Sequence, residues 1–391
     1  MAEIRIKRFY ALLLFSVLFI LFSIICVLNS QTVPLPRGFL VPIINHEVID
    51  LQGSFLFEST LIPQPKYLLA SHSSTLEVLP DSSLIALWFA GSGEGKPDVN
   101  IWQSFYRDGK WTEAVAVITR KSIENNTRMF IKKVGNPVVY RGLNNVLHLF
   151  VVSVGVGGWS GSSINHLISY DNGARWGLAR KLILSPVFNI STLIRTAGIT
   201  LSDGGFYLPV YFEAGSTYSE LLYFTQDGNL VKQLRLNYAN HLIQPSMVAI
   251  SEESAFIYFR NHTVNNSTLL MQNTVNGGKT WSEVKPTNLS NQDSSIATAN
   301  LGDGRVLMVH NQGNGRGKLI LSVSDNGVQW RTLYILESGR NNSEFSYPSI
   351  QVHGNIVDVL YTWQRKAIKH VRFDLAWLNR QDSYSDGQKH D

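Results

Sequence analysis

A short turn motif occurs three times in the chain, and it constrains the fold more than any other feature. Residues 169–176 have the form S-x-D-x-G-x-x-W, residues 274–281 repeat it, and residues 323–330 repeat it with the first Ser replaced. Asp or Asn accepts backbone hydrogen bonds across a tight turn, Gly supplies positive φ, and Trp fills the gap between neighbouring strands. Weaker copies lie at residues 104–111 and 224–228. The copies are separated by roughly one four-stranded sheet each, which predicts a β-propeller.

The strand pattern agrees with this prediction. From about residue 31 onward there is no long helical periodicity, and short apolar runs alternate with Asp-Gly, Asn-Gly and Gly-Gly pairs. The clearest runs are residues 83–89, 146–153, 206–212, 255–260, 306–310 and 356–363. Hydrophobic residues make up 44% of the chain and aromatic residues 11%, which excludes disorder, and one Cys excludes a disulfide-stapled scaffold.

The N-terminal segment differs from the rest of the chain. Residues 9–28 are apolar without a charge, long enough for a helix across a bilayer, and Arg5, Lys7 and Arg8 precede them. We expect residues 1–8 in the cytoplasm, a transmembrane signal anchor at 9–29, a linker leading into the propeller at 30–60, the propeller at 61–378 and a polar tail at 379–391. A cleaved signal peptide is the alternative, although Cys26 to Ser30 fits a cleavage site poorly. A bacterial inner-membrane protein with its body in the periplasm is the simplest interpretation.

The repeats resemble the Asp boxes of the sialidase superfamily, and the resemblance extends from about residue 67 to residue 377. It implies a six-bladed propeller and an exo-glycosidase without a cofactor or metal. Members of the superfamily bind the carboxylate of an ulosonic acid with three arginines, because a guanidinium matches a carboxylate plane. A Tyr attacks the anomeric carbon, a Glu accepts the Tyr proton, and an Asp on a loop protonates the leaving oxygen.

Three site residues carry over directly from the resemblance. Arg260 ends an apolar strand run at the position of the second triad arginine. Arg316 lies shortly before a repeat, as the third does. Tyr347 follows the last repeat and matches the nucleophile. For each, an exposed arginine or a core tyrosine is the structural alternative.

Two positions depart from the family pattern. His72 falls where the first triad arginine is expected, which predicts a weaker, pH-dependent carboxylate contact. Gln244 falls at the Glu that accepts the Tyr proton, and an amide cannot accept it. Glu213, at the end of a neighbouring strand, is a candidate substitute.

The general acid is expected in the Gly-rich loop of residues 90–101, as either Glu94 or Asp98. Asn136 is a further polar candidate. Arg195 lies among apolar residues, and a buried arginine needs an anionic partner, either an internal carboxylate or the ligand. A basic cluster of Arg128, Lys132 and Lys133 suits phosphate or lipid headgroups, although a solvated face is an equal alternative.

The resemblance implies hydrolysis of an α-ketosidic bond to an ulosonic acid. Some bacterial membrane-anchored members of the superfamily remove the outer 3-deoxy-D-manno-octulosonic acid (Kdo) from lipid A precursors. The membrane tether and the changes at His72 and Gln244 favour Kdo on a lipid. The alternatives are a sialidase, a glycan-binding propeller without turnover, and one subunit of a two-protein hydrolase. The expected partners are the glycan or glycolipid and the inner membrane, with that second subunit added in the two-protein alternative. The net charge of +5 comes without a nucleic-acid motif, so no nucleic-acid partner is expected.

Overall fold

The chain forms two compact units, Met1–Leu35 and Pro36–Asp391. The computed structural model describes residues 2–29, 38–41, 55–185, 189–236, 241–263, 267–313, 315–340 and 342–387, with side chains at 6–22 of the first helix and up to 383 in the last. Most of the predicted linker lies outside these residues. The first unit contains α1 (Ala2–Asn29). No helix in this described set is both long and apolar enough to cross a membrane.

The second unit contains six antiparallel sheets, or blades, numbered here along the chain. Its first strand, β1 (Phe57–Leu61), belongs to the last blade. Blade 1 contains β2 (Ala70–Val78), β3 (Leu84–Gly91), β4 (Asn100–Arg107), β5 (Lys110–Trp111) and β6 (Val115–Ile118). Helix α2 (Arg120–Thr127) follows. Blade 2 contains β7 (Lys133–Arg141), β8 (Leu147–Val154), β9 (Ser162–Ser169) and β10 (Arg180–Lys181), with a 3-10 turn at Trp159–Gly161.

The remaining blades repeat this up-and-down order. Blade 3 contains β11 (Thr192–Ile194), β12 (Ile199–Thr200), β13 (Phe206–Phe212), β14 (Tyr218–Phe224) and β15 (Leu230–Arg235). Blade 4 contains β16 (Leu242–Ala249), β17 (Ala255–Asn261), β18 (Thr268–Thr274) and β19 (Lys285–Ser290). Blade 5 contains β20 (Ala297–Asn300), β21 (Val306–Asn311), β22 (Lys318–Ser324) and β23 (Arg331–Ser338). Blade 6 contains β24 (Phe345–His353), β25 (Ile356–Trp363) and β26 (Ala367–Asp374), and α3 (Leu375–Gly387) follows it.

Two contacts close the ring of blades. The inner strands of neighbouring blades contact one another around the ring, with β12 and β13 of blade 3 against β16 of blade 4, and β2 of blade 1 contacts β24 of blade 6. Blade 6 is completed by β1, which pairs with β26 from Phe57 opposite Phe373 to Leu61 opposite Lys369. The predicted six-bladed propeller is therefore confirmed. Its sheets begin at Phe57, a few residues before the predicted boundary, and α3 extends across the predicted start of the tail.

Apolar packing lies between the blades. Among the described residues there is one buried cluster for each pair of neighbouring blades. Between blades 1 and 2, for example, Ile85 and Leu87 pack with Val139 and Leu149. Burial of such side chains contributes roughly 1.5–3 kcal/mol each. This packing holds the ring together and leaves the strand ends free to carry polar groups.

The repeated motif forms the turn between the third and fourth strands of blades 2, 4 and 5. In blade 2 the hydroxyl of Ser169 accepts from the Gly173 N–H at 2.9 Å, and Asp171 Oδ1 accepts from the Arg175 N–H at 2.9 Å. The third copy is one residue shorter than the sequence pattern indicated. There the Ser324 hydroxyl accepts from the Gly327 N–H at 2.9 Å. Ser324, not Val323, is therefore the first residue of this copy, and its hydroxyl is retained.

Candidate active site

The innermost strands of four blades each carry a bulge near the same end of the propeller. The bulged residues with left-handed backbone are Ser73, Asn136, Gln244 and Tyr347, with φ of 57°, 31°, 48° and 54°. Proline follows the last three, and because it has no N–H it suits a position where a ladder hydrogen bond is missing. A bulge changes the direction in which a strand's side chains point. Because four such bulges lie at one end of the propeller, we take that end as the candidate site.

Tyr347 lies where side chains from several blades meet. Its hydroxyl oxygen accepts from Arg260 Nη1 at 3.1 Å and from Gln244 Nε2 at 3.4 Å. The centroid of its ring lies 4.2 Å from that of His72. Burial by itself raises the pKa of Tyr347, but the charges of Arg260 and Arg316 and the Gln244 hydrogen bond outweigh it and hold the pKa below its ordinary value. This phenol therefore ionises more readily than a free tyrosine.

Arg195 is a fully buried cation beside Tyr347. Its Nη1 donates to the Ser74 carbonyl at 3.2 Å and its Nη2 to the Pro348 carbonyl at 2.6 Å, which ties blade 3 to blades 1 and 6. Its guanidinium carbon lies 5.1 Å from the centroid of the Tyr347 ring. Burial lowers its pKa to about 10, so it is charged at neutral pH. Within the described residues no carboxylate is hydrogen-bonded to it, so its charge is met by the two carbonyls and by electrostatic interaction with Tyr347 and Tyr211.

Arg260 is positioned by an acidic residue that the sequence did not indicate. Its Nε donates to Asp293 Oδ1 at 2.6 Å, and the same oxygen lies 2.9 Å from His262 Nδ1. Burial raises the pKa of Asp293, but Arg260 and His262 outweigh it and hold the pKa below its ordinary value. The ionised Asp293 thus orients Arg260 towards Tyr347.

A chain of ion pairs leads from Tyr347 to the surface. Arg316, whose guanidinium carbon lies 5.3 Å from the Tyr347 ring centroid, donates to Glu344 at 3.2 Å. Glu344 also accepts from Arg365 Nε at 2.7 Å, and Arg365 Nη1 donates to Glu94 at 2.5 Å. The Arg365 and Glu94 side chains are 40% and 36% exposed, so their ion pair can exchange with a ligand.

His72 does not supply a charge to this site. The ring is buried against Phe89 and Tyr347, and neither ring nitrogen has a hydrogen-bond partner in the part of the chain that the structure describes. Burial, together with the charge of Arg365 and three other arginines, lowers its pKa well below 6.5. The ring is therefore neutral at physiological pH. It does not provide the pH-dependent carboxylate contact that the sequence predicted.

Gln244 links Tyr347 to a second tyrosine. Its Nε2 donates to Tyr211 at 3.3 Å as well as to Tyr347, while its Oε1 is buried without a partner among the described residues. A half-turn of the amide lets Oε1 accept from both hydroxyls instead. Glu213 lies close enough to interact electrostatically with Arg260 and Tyr211, and burial raises its pKa. At the position where a base was expected, the side chain hydrogen-bonded to Tyr347 is thus an amide.

Two of the expected site residues, Asp98 and Asn136, make hydrogen bonds that fix the backbone. Asp98 accepts from the Ser92 N–H and hydroxyl, each at 2.8 Å, and so closes the loop that carries Glu94. Asn136 donates to the Ile194 carbonyl at 3.1 Å and connects blades 2 and 3.

The structure brings most of the predicted residues together. Those in contact with Tyr347 are Arg195, Arg260, Arg316, His72 and Gln244. Glu94 is connected to this group by its ion pair with Arg365. Asp98 and Asn136 bond to Ser92 and Ile194 instead. Sequence reasoning missed Arg365, Asp293, Glu344 and Tyr211. The proximity of Glu344 to Tyr347 in sequence was an available signal, but nothing local marks Arg365, which lies in a tight hairpin turn with φ of 54°.

Other features of the surface lie apart from this site. A cavity of about 560 Å³ lies between blades 6 and 1, lined by residues that include Glu58, Tyr106 and Trp111, and it shares no residue with the site. Among the described side chains, no group of His, Cys, Asp and Glu is arranged to hold a metal ion.

Comparisons with known proteins agree with this architecture. The family model described as BNR repeat-like domain matches residues 82–359. A Hadza microbial sialidase is 16% identical, with a TM-score of 0.67 over 79% of this chain and 66% of that one. Trypanosoma rangeli sialidase is 17% identical, with a TM-score of 0.64 over 86% of this chain and 61% of that one. A protein of unknown function from Dyadobacter fermentans is 13% identical, with a TM-score of 0.66 over 81% of this chain and 98% of that one. No curated protein matches the chain in sequence.

The fold is thus a six-bladed propeller of the kind found in these sialidases. The family model covers well over half of the chain, and the chain belongs to the BNR repeat-like family. It spans less than two thirds of the length of both sialidases just described.

Proposed function

We propose that the protein is a membrane-anchored exo-glycosidase that hydrolyses an α-ketosidic bond to an ulosonic acid. The observation that carries this proposal is the Tyr347 hydroxyl, held by Arg260 and Gln244 with the guanidinium groups of Arg195 and Arg316 beside its ring. A cluster of this kind binds an anionic sugar and activates a phenol in one place.

Three arginines are placed to bind the sugar carboxylate. Arg260 and Arg316 flank Tyr347, and Arg365 supplies the third guanidinium in place of the missing first triad arginine. A guanidinium pairs with a carboxylate through two parallel hydrogen bonds. An incoming carboxylate takes over Arg365 from Glu94, because that ion pair is the more exposed one.

Tyr347 acts as the nucleophile through electrostatic activation. Arg260 and Arg316 lower its pKa, so its phenolate forms without a carboxylate base at position 244. Tyr347 loses its proton to solvent, and its oxygen bonds to the anomeric carbon while the bond to the leaving oxygen breaks. Glu94, carrying a proton taken up from solvent, gives that proton to the leaving oxygen. Water then attacks the same carbon, releases Tyr347 and returns a proton to Glu94. Trypanosoma rangeli sialidase has been captured as a covalent intermediate with 2,3-difluorosialic acid, which supports a two-step reaction of this type.

Kdo on lipid A or on the core of lipopolysaccharide is the proposed substrate, and sialic acid is the alternative. The apolar segment at residues 9–28 supports an anchor in the bacterial inner membrane with the propeller in the periplasm. A tethered enzyme meets lipid-borne sugars at a far higher local concentration than soluble ones.

A glycan-binding propeller without turnover is the second candidate. It is favoured by one observation, the amide of Gln244 where a base is expected next to Tyr347. In that case the arginines hold a sugar that is never cleaved, or a partner subunit completes the hydrolase.

The test uses the purified full chain in detergent, incubated with Kdo-bearing lipid A and, separately, with a fluorogenic sialic-acid ketoside. We expect the lipid to lose the mass of one Kdo. Release of sialic acid alone would favour the sialidase. Saturable binding of both glycans without any product, with or without co-expressed partners, would identify the binding protein.

A further inference from the structure

Exposed apolar side chains cluster on the rim of blade 2, at the same end as the site. Met129, Phe130 and Val156 are 47%, 66% and 81% exposed. They belong to two adjoining loops: the Lys132 N–H donates to the Val154 carbonyl at 2.7 Å, and a methyl group at Gly155 would lie 3.1 Å from the Phe130 carbonyl oxygen. Exposed apolar residues grouped beside a site mark an interaction surface.

Cations surround these apolar tips. Lys181 Nζ lies 3.6 Å from Met129 Sδ, and Lys132 Nζ lies 3.5 Å from the Gly157 carbonyl. Arg128 ends α2 in the left-handed conformation, directly before Met129. Apolar tips framed by cations complement a layer of anionic headgroups over acyl chains.

The rim is continuous with the wall of the site. Lys133 Nζ lies 3.8 Å from the centroid of the Trp159 ring, and that ring covers Gly135, the residue before Asn136. On its other side, Lys133 Nζ would lie 3.5 Å from a methyl group at Gly95, in the loop that carries Glu94. A surface that meets this rim therefore lies beside the candidate general acid.

We propose that this rim, formed by residues 128–132, 155–157 and 181, docks onto an anionic lipid surface and presents the site to a sugar attached to a lipid. The substrate class rests on the proposed function, whereas the docking can be measured without catalysis. Anionic lipid is the occupant because the residues of this rim combine exposed apolar side chains with three cations and no acidic residue. The nearby Glu124 is already paired with the Ile131 N–H and Lys121.

The first experiment measures docking in the full chain. Cys26, the sole cysteine, is replaced by Ser, and Phe130→Cys or the control Leu143→Cys is labelled with an environment-sensitive fluorophore. Leu143 is 52% exposed, at the opposite end of the same blade. In vesicles with phosphatidylglycerol we expect a blue shift and several-fold slower iodide quenching at 130, weakened in high salt, and no change at 143. Equal quenching at both positions, or protection at 130 only when another protein is added, would overturn the proposal.

The second experiment measures its consequence for catalysis. Phe130→Glu with Val156→Glu is compared with Leu143→Glu. We expect the double variant to raise KM for lipid-borne substrate about tenfold or more, with unchanged kcat on a soluble aryl ketoside, and the control to change neither. Equal effects on both substrates would overturn the proposal. If the parent cleaves neither substrate, the proposed function fails, and the fluorescence result still decides the docking.

Discussion

The two ends of the propeller satisfy their polar groups in opposite ways. At the end with the repeated turns, Ser169 and Asp171 bond to backbone within four residues along the chain. At the other end, Tyr347 bonds to Gln244 and Arg260, which lie 103 and 87 residues away. The bonds of Ser169 and Asp171 form within one turn, whereas the cluster around Tyr347 exists only when five blades have assembled.

The site end also leaves polar groups unsatisfied. Both ring nitrogens of His72, the Gln244 Oε1 and the Arg195 Nε are buried without partners among the described residues. Each such group costs about 1–3 kcal/mol. Buried groups without partners also occur at the opposite end, such as Arg141 Nε and Asn355 Oδ1, but those at the site end lie around Tyr347, where a ligand can supply the missing contacts.

Removing the Tyr347 hydroxyl is expected to have the largest effect. Tyr347→Phe leaves the ring packing and deletes only the attacking oxygen. We expect kcat to fall by about 10³-fold or more, measured as release of the ulosonic acid. Glycan binding and the midpoint of thermal unfolding should stay close to those of the parent; loss of both would mean that Tyr347 is structural.

Substitution of Arg260 is expected to have the second largest effect on activity. In Arg260→Lys the charge remains, but one ammonium cannot serve Asp293 and Tyr347 with the geometry of a guanidinium. We expect kcat/KM to fall about a hundredfold. If this variant keeps the activity of the parent, Arg260 does not take part in binding or catalysis.

Arg365 is expected to have a smaller effect, because it is partly exposed. Arg365→Ala should raise KM about tenfold with little change in kcat, since it removes one of three carboxylate contacts. Arg175→Ala, an exposed arginine paired with Asp171 at the opposite end, is the matched control and should change neither constant. An unchanged KM in the first variant would show that two arginines suffice.

The pH dependence distinguishes electrostatic activation from a base. On an aryl ketoside, whose leaving group departs without a proton from Glu94, attack by the Tyr347 phenolate makes kcat/KM rise with pH through the lowered pKa of that group. Arg316→Gln removes a cation that lowers this pKa, so the rise should move to higher pH. A rise at the same pH in both proteins would point to another titrating group, such as Glu213.

Ser169 is expected to affect stability alone. Ser169→Ala removes the acceptor of the buried Gly173 N–H at the opposite end from the site. We expect the free energy of unfolding to fall by about 1–3 kcal/mol, measured by denaturant unfolding, with kcat unchanged. Altered kcat at equal folded fraction would show that the two ends are coupled.

The sequence indicated the fold well because its signals are local. The turn motif and the strand runs each act within about ten residues, and they predicted the blades and the ring. The third copy of the motif was assigned one residue out of frame, since both Ser324 and Asp325 suit a turn by composition, and only the bond from Gly327 to Ser324 distinguishes them.

The site was predictable only in part. Tyr347, Arg260 and Arg316 were identified by their positions relative to the repeats, and the structure brings them together. The roles of His72 and Asp98 depended on burial and on a loop closure that no spacing reveals. Arg365 could not be found, because its partners Glu94 and Glu344 come from blade 1 and from the start of blade 6.

By itself, the sequence determined a ring of small antiparallel sheets, because turn chemistry and strand patterning are properties of short segments. Only the tertiary structure decided which cations surround Tyr347, which carboxylates orient them and that His72 is neutral. The physical reason is that charges and hydrogen bonds depend on distance and burial, and the blades that supply them are separated by up to about three hundred residues of chain, as Glu94 and Arg365 are by 271.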